Sequence, residues 1–137
     1  MGMKLEISSC VIRLIQSAAT EAAPKEACGL LFGSDGRIGR ASTVANVAPD
    51  RRRNFEIDPA ALFAALRRER AGTERLAGYW HSHPGGDTTP SVTDAAMAAP
   101  DGRVWLIEAR GQIAVWRAVE SGAVHGRFDP LDWTPRG

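Results

Sequence analysis

The sequence predicts an α+β fold: one domain with a mixed, mostly antiparallel sheet flanked by helices. Three observations lead there. Short apolar runs of strand length, such as "ACGLLFG" at 27–33 and "VWLIEA" at 104–109, alternate irregularly with stretches of helical periodicity. Two tight turns, Ser34-Asp35-Gly36 and Arg110-Gly111, join neighbouring strand-like runs as hairpins. A chain of 137 residues, 44% apolar, fills one hydrophobic core comfortably and not two. Residues 1–137 are therefore read as a single domain, with a core over about 3–120 and a C-terminal tail over 121–137.

In chain order, Lys4 to Ile7 reads as a short strand. Ser8 or Ser9 caps a helix whose Val11, Leu14, Ile15 and Ala18 recur at helical spacing, and Pro24 ends it. Ala27 to Gly33 is a buried strand with Glu26 at its entrance, and Arg37 to Val47 is its hairpin partner. Asn54 to Ile57 is a further short strand candidate. Asp58-Pro59 caps and opens a helix whose buried face carries Leu62, Phe63 and Leu66. Leu76 to Trp80 is a strand running into His81, and Pro84-Gly85-Gly86 breaks regular structure immediately after it. Thr93 to Ala99 is alanine-rich and helical, stopped by Pro100-Asp101-Gly102. Val104 to Ala109 and Gln112 to Val119 close the core as the second hairpin.

Composition narrows the function classes. Charged residues make up 24% and the formal net charge is +1, so nothing global points to nucleic acid or to an anionic membrane as partner. Basic residues concentrate at Arg51-Arg52-Arg53 and at Arg67, Arg68, Arg70 and Arg75, which are either a docking patch for an acidic partner or solvated faces of a loop and a helix. Cys10 and Cys28 lack C-x-x-C spacing and are too few for a disulfide framework. With no apolar run of about 18 residues and no leader pattern, the chain is expected to be cytoplasmic.

The informative stretch is "HSHPGGDTTPSVTD", residues 81–94. Strand side chains alternate faces, so His81 and His83 project the same way and their imidazoles converge. Ser91 and Asp94, three apart at a helix start, share a face that the intervening turn can bring back to the histidines. Two nitrogens and one carboxylate oxygen match the three protein ligands of a catalytic zinc site with one open position. The competing reading makes Ser91 an N-cap and Asp94 a first-turn acid, a helix start and nothing more.

His-Ser-His-Pro, then seven residues, then Ser-x-x-Asp resembles the signature of the JAMM (MPN-plus, Mov34) zinc metalloprotease family, in its stand-alone prokaryotic form. The upstream glutamate of that signature has its counterpart in Glu26 of "PKEACGLLFG", and Gly78 and Pro84 match as well. The resemblance implies a cytidine-deaminase-like α+β architecture, with one Zn2+ per chain held by His81, His83 and Asp94. It further implies that Glu26 is the general base and that Ser91 steadies the tetrahedral intermediate. As substrate it implies the amide bond after the C-terminal Gly-Gly of a ubiquitin-like sulfur-carrier protein. A zinc hydrolase of small amides or peptides and a non-catalytic MPN interaction scaffold stand as alternatives.

Other metal families fit worse. Gly85 and Gly86 stand where a metallo-β-lactamase pattern needs Asp and His, no Pro-Cys-x-x-Cys follows as in zinc deaminases, and the chain is too short for an amidohydrolase barrel of about 250 residues. Cys28, two residues beyond Glu26, is either a thiol near the metal or a small buried residue. His125 is read as exposed, and Trp80, Trp105, Trp116 and Trp133 as packing residues, with Trp80 facing away from the histidines.

Overall fold

The computed structural model describes residues 4–34 and 36–137; Asp35, in the first predicted turn, lies outside the described residues. Its elements are β1 (Leu5–Ser8), α1 (Ser9–Ala22), β2 (Cys28–Ser34), β3 (Arg37–Val44), α2 (Pro59–Arg70), β4 (Leu76–Ser82), α3 (Val92–Met97), β5 (Val104–Ala109), β6 (Gln112–Gly122), β7 (Gly126–Leu131) and β8 (Trp133–Arg136). The strands form one eight-stranded sheet in the order β7-β6-β5-β4-β2-β3-β1-β8. Pairing is mixed: β2–β3, β2–β4, β5–β6 and β6–β7 are antiparallel, whereas β4–β5, β1–β3 and β1–β8 are parallel. The expected α+β class is the one observed.

Helix α1 starts where the sequence says it should. The Ser8 hydroxyl accepts from the Cys10 N–H, and Val11, Ile15 and Ala19 turn inward against the sheet. Val11 and Ile15 join Leu31, Ile38, Trp80, Leu106 and Val115 in the larger core, on one face. Beside a second cluster of Cys28, Phe55, Trp105 and Phe128, a third gathers Leu30, Phe32, Ala65 and Leu76, with Leu62 and Leu66 of α2 packed against it. Asp58 caps α2 as predicted, accepting from the Ala60 N–H, with Pro59 in the first turn.

Three expectations need correction. The tail assigned to 121–137 is not a tail: β7 pairs with β6 and β8 pairs with β1, so this segment supplies both outer strands of the sheet. Its prolines hid it, because Pro cannot donate to a ladder; Pro130 and Pro135 sit in β7 and β8, the edge positions where Pro is tolerated. Asn54 to Ile57 is not a strand but a loop touching β-structure at one bridge, Asn46 to Ile57. Phe63 lies on the outer face of α2 and is 64% exposed; the side chain that α2 buries fully is Ala65.

Gly78 fixes how closely β4 and β5 approach. It stands opposite Val104, and a β-carbon there would lie 1.8 Å from the Val104 carbonyl oxygen, which is backbone and cannot swing away. We expect Gly78→Ala to cost more than about 3 kcal/mol through strand displacement. Thermal unfolding checks it: a midpoint within a degree or two of wild type would contradict this packing.

Candidate metal centre

The strand that carries the histidines is locked to the segment that carries Glu26. Cys28 pairs with His81 across β2 and β4, and one residue beyond, Ser82 Oγ accepts from the Ala27 N–H at 2.8 Å while the Ser82 N–H donates to the Ala27 carbonyl at 3.0 Å. Ser82 therefore points away from the site, as its parity predicts, and Trp80 does too, donating through Nε1 to the Ser42 carbonyl at 2.9 Å. His81 and His83 project from the opposite face. The strand's pairing continues past its end through the His83 N–H, which donates to the Glu108 carbonyl at 2.8 Å.

Helix α3 delivers the carboxylate. Ser91 and Asp94 form a complete capping box: Ser91 Oγ accepts from the Asp94 N–H and Asp94 Oδ2 from the Ser91 N–H, both at 2.9 Å. The plain helix-start reading of these residues is thus correct as local structure. It does not exhaust them, because the same Asp94 Oδ2 lies 3.1 Å from His81 Nε2 and 3.2 Å from His83 Nε2, while the two Nε2 atoms are 3.0 Å apart.

That triangle is hard to satisfy with protons. His83 Nδ1 faces the Asp87 carbonyl at 2.8 Å and so carries a hydrogen, which in the neutral ring turns the lone pair of Nε2 toward Asp94 and His81. A carboxylate oxygen and an imidazole lone pair at 3.2 Å repel unless a proton or a metal ion lies between them. Around a tetrahedral ion with bonds of about 2.0–2.1 Å, neighbouring ligand atoms stand about 3.3 Å apart, and the three observed edges, 3.0–3.2 Å, are slightly shorter than that. Glu26, His81 and His83 likewise offer atoms within 4.8 Å of one another, a group able to hold a metal ion. The buried Oε1 of Glu26 has no hydrogen-bond partner among the described residues.

Electrostatics follow the geometry. Burial pushes the Glu26 carboxyl up to about 7; His83 opposes the rise, and Asp94 and Asp50 add to it. For Asp94 burial works upward as well, but hydrogen bonds from His81 and His83 outweigh it and hold the group far below the usual carboxylate range. His81, fully buried, is lowered by desolvation despite its Asp94 contact, which keeps it neutral, as a metal ligand must be. Burial also lowers His83, yet the hydrogen bonds to Asp94 and to the Asp87 carbonyl raise it on balance. The Cys28 thiol is pushed up to about 12 by burial and by Glu26, and Sγ lies 3.5 Å from the Val44 carbonyl, so it is a protonated core residue.

Some supporting residues escape sequence reading. Phe55, 3% exposed, stacks on the His81 ring with centroids 4.1 Å apart and meets Trp105 edge-on, setting the plane of that imidazole. The Asn46 amide donates to the Glu26 and Asn54 carbonyls, and its oxygen accepts from the Ala48 and Glu56 N–H groups, so one side chain ties the 46–56 loop to Glu26. The glycine-containing loop after His83 is held too: Arg110 donates to the Gly85 carbonyl, Trp116 to that of Thr88, and the exposed His125 lies 3.0 Å from that of Pro90.

Comparison with known proteins now bears on this centre. The family model "Prokaryotic homologs of the JAB domain" matches residues 8–121. The chain belongs to the prokaryotic JAB-domain family. This JAB-domain chain is 40% identical over 86 residues to desampylase of Haloferax volcanii, an alignment covering 61% of the present chain and 62% of desampylase, so it spans less than two thirds of that curated relative. Among solved structures it superposes on a protein from Desulfitobacterium hafniense with a TM-score of 0.79 and 21% identity, covering 96% of this chain and 92% of that one. A JAB1/MPN domain protein from Archaeoglobus fulgidus superposes with a TM-score of 0.63 and 17% identity, covering 98% and 100%. These likenesses establish the fold.

Proposed function

We propose that this JAB-domain protein is a zinc-dependent isopeptidase or peptidase, cleaving the amide bond after the C-terminal Gly-Gly of a ubiquitin-like sulfur-carrier protein. The observation that carries the proposal is the triangle of His81 Nε2, His83 Nε2 and Asp94 Oδ2, with edges of 3.0–3.2 Å, beside a buried and unpartnered Glu26 carboxyl. The likeness to desampylase favours ubiquitin-like conjugates as the substrate class. His81, His83 and Asp94 would hold one zinc. When bound, such an ion lowers the pKa of water to about 7 and polarises a carbonyl.

The chain's own groups do the rest. Glu26, with an unpartnered oxygen and a carboxyl near 7, accepts a proton from the attacking water and passes it to the leaving amine. Ser91 Oγ already accepts from the Asp94 N–H, which leaves its O–H to donate to the oxyanion developing on the scissile carbonyl. The Phe55 stack holds the His81 ring in place. The two cysteines are free in the structure.

Elemental analysis of purified protein tests the reading. We expect about one zinc per wild-type chain and its loss in His83→Ala. Zinc-free wild type after reconstitution would move the protein to the scaffold class. Zinc binding with cleavage of short amides but not of Gly-Gly adducts would make it a small-amide hydrolase.

A further inference from the structure

The chain's third histidine stands outside the metal centre and yet reaches its edge. His125 Nε2 lies 3.0 Å from the carbonyl oxygen of Pro90, the residue that precedes Ser91. A carbonyl only accepts, so Nε2 carries a hydrogen and donates. Pro90 is buried, and a buried carbonyl needs a partner; among the described residues, His125 is the donor it has. The peptide plane between Pro90 and Ser91 is therefore held at both edges. Its N–H donates to Asp94 Oδ2 at 2.9 Å, and its carbonyl accepts from His125. Such a plane is rigid, so fixing both groups fixes where the Ser91 backbone stands, and the Asp94 N–H then sets its Oγ.

The turn that carries His125 is shaped for this contact. The Arg127 N–H donates to the Val124 carbonyl at 3.0 Å, and the two central residues, His125 and Gly126, have φ of 53° and 68°. Two positive φ values make a type I′ turn, where Asn-Gly is favoured and a histidine carries backbone strain. The turn is also firmly seated. The Val124 N–H and carbonyl pair with the Phe128 carbonyl and N–H at 2.9 and 3.1 Å, and the Ala123 N–H donates to Asp129 Oδ1 at 2.9 Å. Val124 and Phe128 pack in one cluster with Ala95 and Ala98, so the same turn bears on α3. A strained residue whose side chain reaches the carbonyl before Ser91 is an outlier of the kind that serves a site.

We infer that His125 is a positioning residue for the reaction: through the Pro90 carbonyl it holds Ser91 where its hydroxyl meets the developing oxyanion. This rests on the peptidase reading above. His125 has no hydrogen bond to His81, His83 or Asp94, so its effect passes through the loop and Ser91. Misplacing a reacting group by about 1 Å costs up to about a hundredfold in rate, which sets the scale of the expected loss.

The test uses zinc-loaded protein and a synthetic isopeptide joining a Gly-Gly tail to a lysine ε-amine. His125→Ala should lower kcat by about tenfold, with KM and zinc content unchanged. His125→Gln, whose amide nitrogen stands about as far from the backbone as Nε2, should recover most of the loss. His125→Asn relieves the turn but its shorter amide does not reach Pro90. Metal-free His125→Asn should therefore melt at or above the wild-type midpoint while its zinc-loaded form is as slow as His125→Ala. A merely structural role would move melting and rate together and would overturn the inference. In a Ser91→Ala background, adding His125→Ala should lower kcat no further. Fully additive losses would overturn it, giving His125 a role independent of Ser91. Zinc lost in step with kcat in His125→Ala would overturn it too, placing the effect on Asp94. Wild-type kcat in His125→Ala overturns the inference and leaves the peptidase reading standing. No cleavage by wild type would sink the peptidase reading and this inference together.

Discussion

Glu26→Gln is expected to lower kcat by about a hundred- to ten-thousandfold while leaving zinc content unchanged, because it removes a proton acceptor and leaves the three proposed ligands in place. The same substitution has an opposite effect on the metal-free fold. At pH near 4 the carboxyl is protonated in folded and unfolded chains alike. Between 4.5 and about 7 the folded chain keeps a proton that the unfolded chain has lost, so stability falls as pH rises through that window. Above it the whole penalty stands, about 3 kcal/mol for a shift of this size. Metal-free Glu26→Gln should therefore melt several degrees above metal-free wild type at pH 8 and lose that advantage by pH 4.5. Parallel melting profiles across pH would show that the buried carboxyl is not strained in this way, and undiminished kcat would remove Glu26 from the base role.

How much of this centre could be read from sequence depended on how local its geometry is. His81 and His83 converge because strand parity demands it, and Ser91 and Asp94 share a face because helical spacing does; both inferences need only a few neighbouring residues. Glu26 is different. No periodicity says that a carboxylate so far upstream sits beside His81; the Cys28–His81 register brings it there, and only the family resemblance pointed to it. Phe55 and Asn46 carried no signal, since each acts through contacts with distant backbone or rings, from a loop that looked like a strand. The outer strands β7 and β8 were illegible for the reason that makes them possible, prolines at the sheet's edges. Phe63 misled because apolar spacing on α2 marks a stripe, and the sheet covers only part of it.

Ser91→Ala should separate the two duties of one hydroxyl. As the helix cap, Ser91 Oγ accepts from the Asp94 N–H at 2.9 Å, and its loss should cost about 1 kcal/mol of stability, visible as a small drop in midpoint. As an oxyanion donor it should be worth a factor of about a hundred to a thousand in kcat. The two can be told apart because Asp94 keeps the Ser91 N–H contact, which is backbone and survives the substitution, so the carboxylate stays beside the histidines and zinc should remain bound. A large fall in kcat with full zinc occupancy and a small stability loss assigns the donor role. A fall in kcat that tracks loss of zinc would instead mean that Ser91 acts by holding Asp94 in place. Asp94→Asn offers the comparison: it weakens the ligand itself, so zinc should be lost there, and the contrast in metal content between the two variants decides which duty dominates.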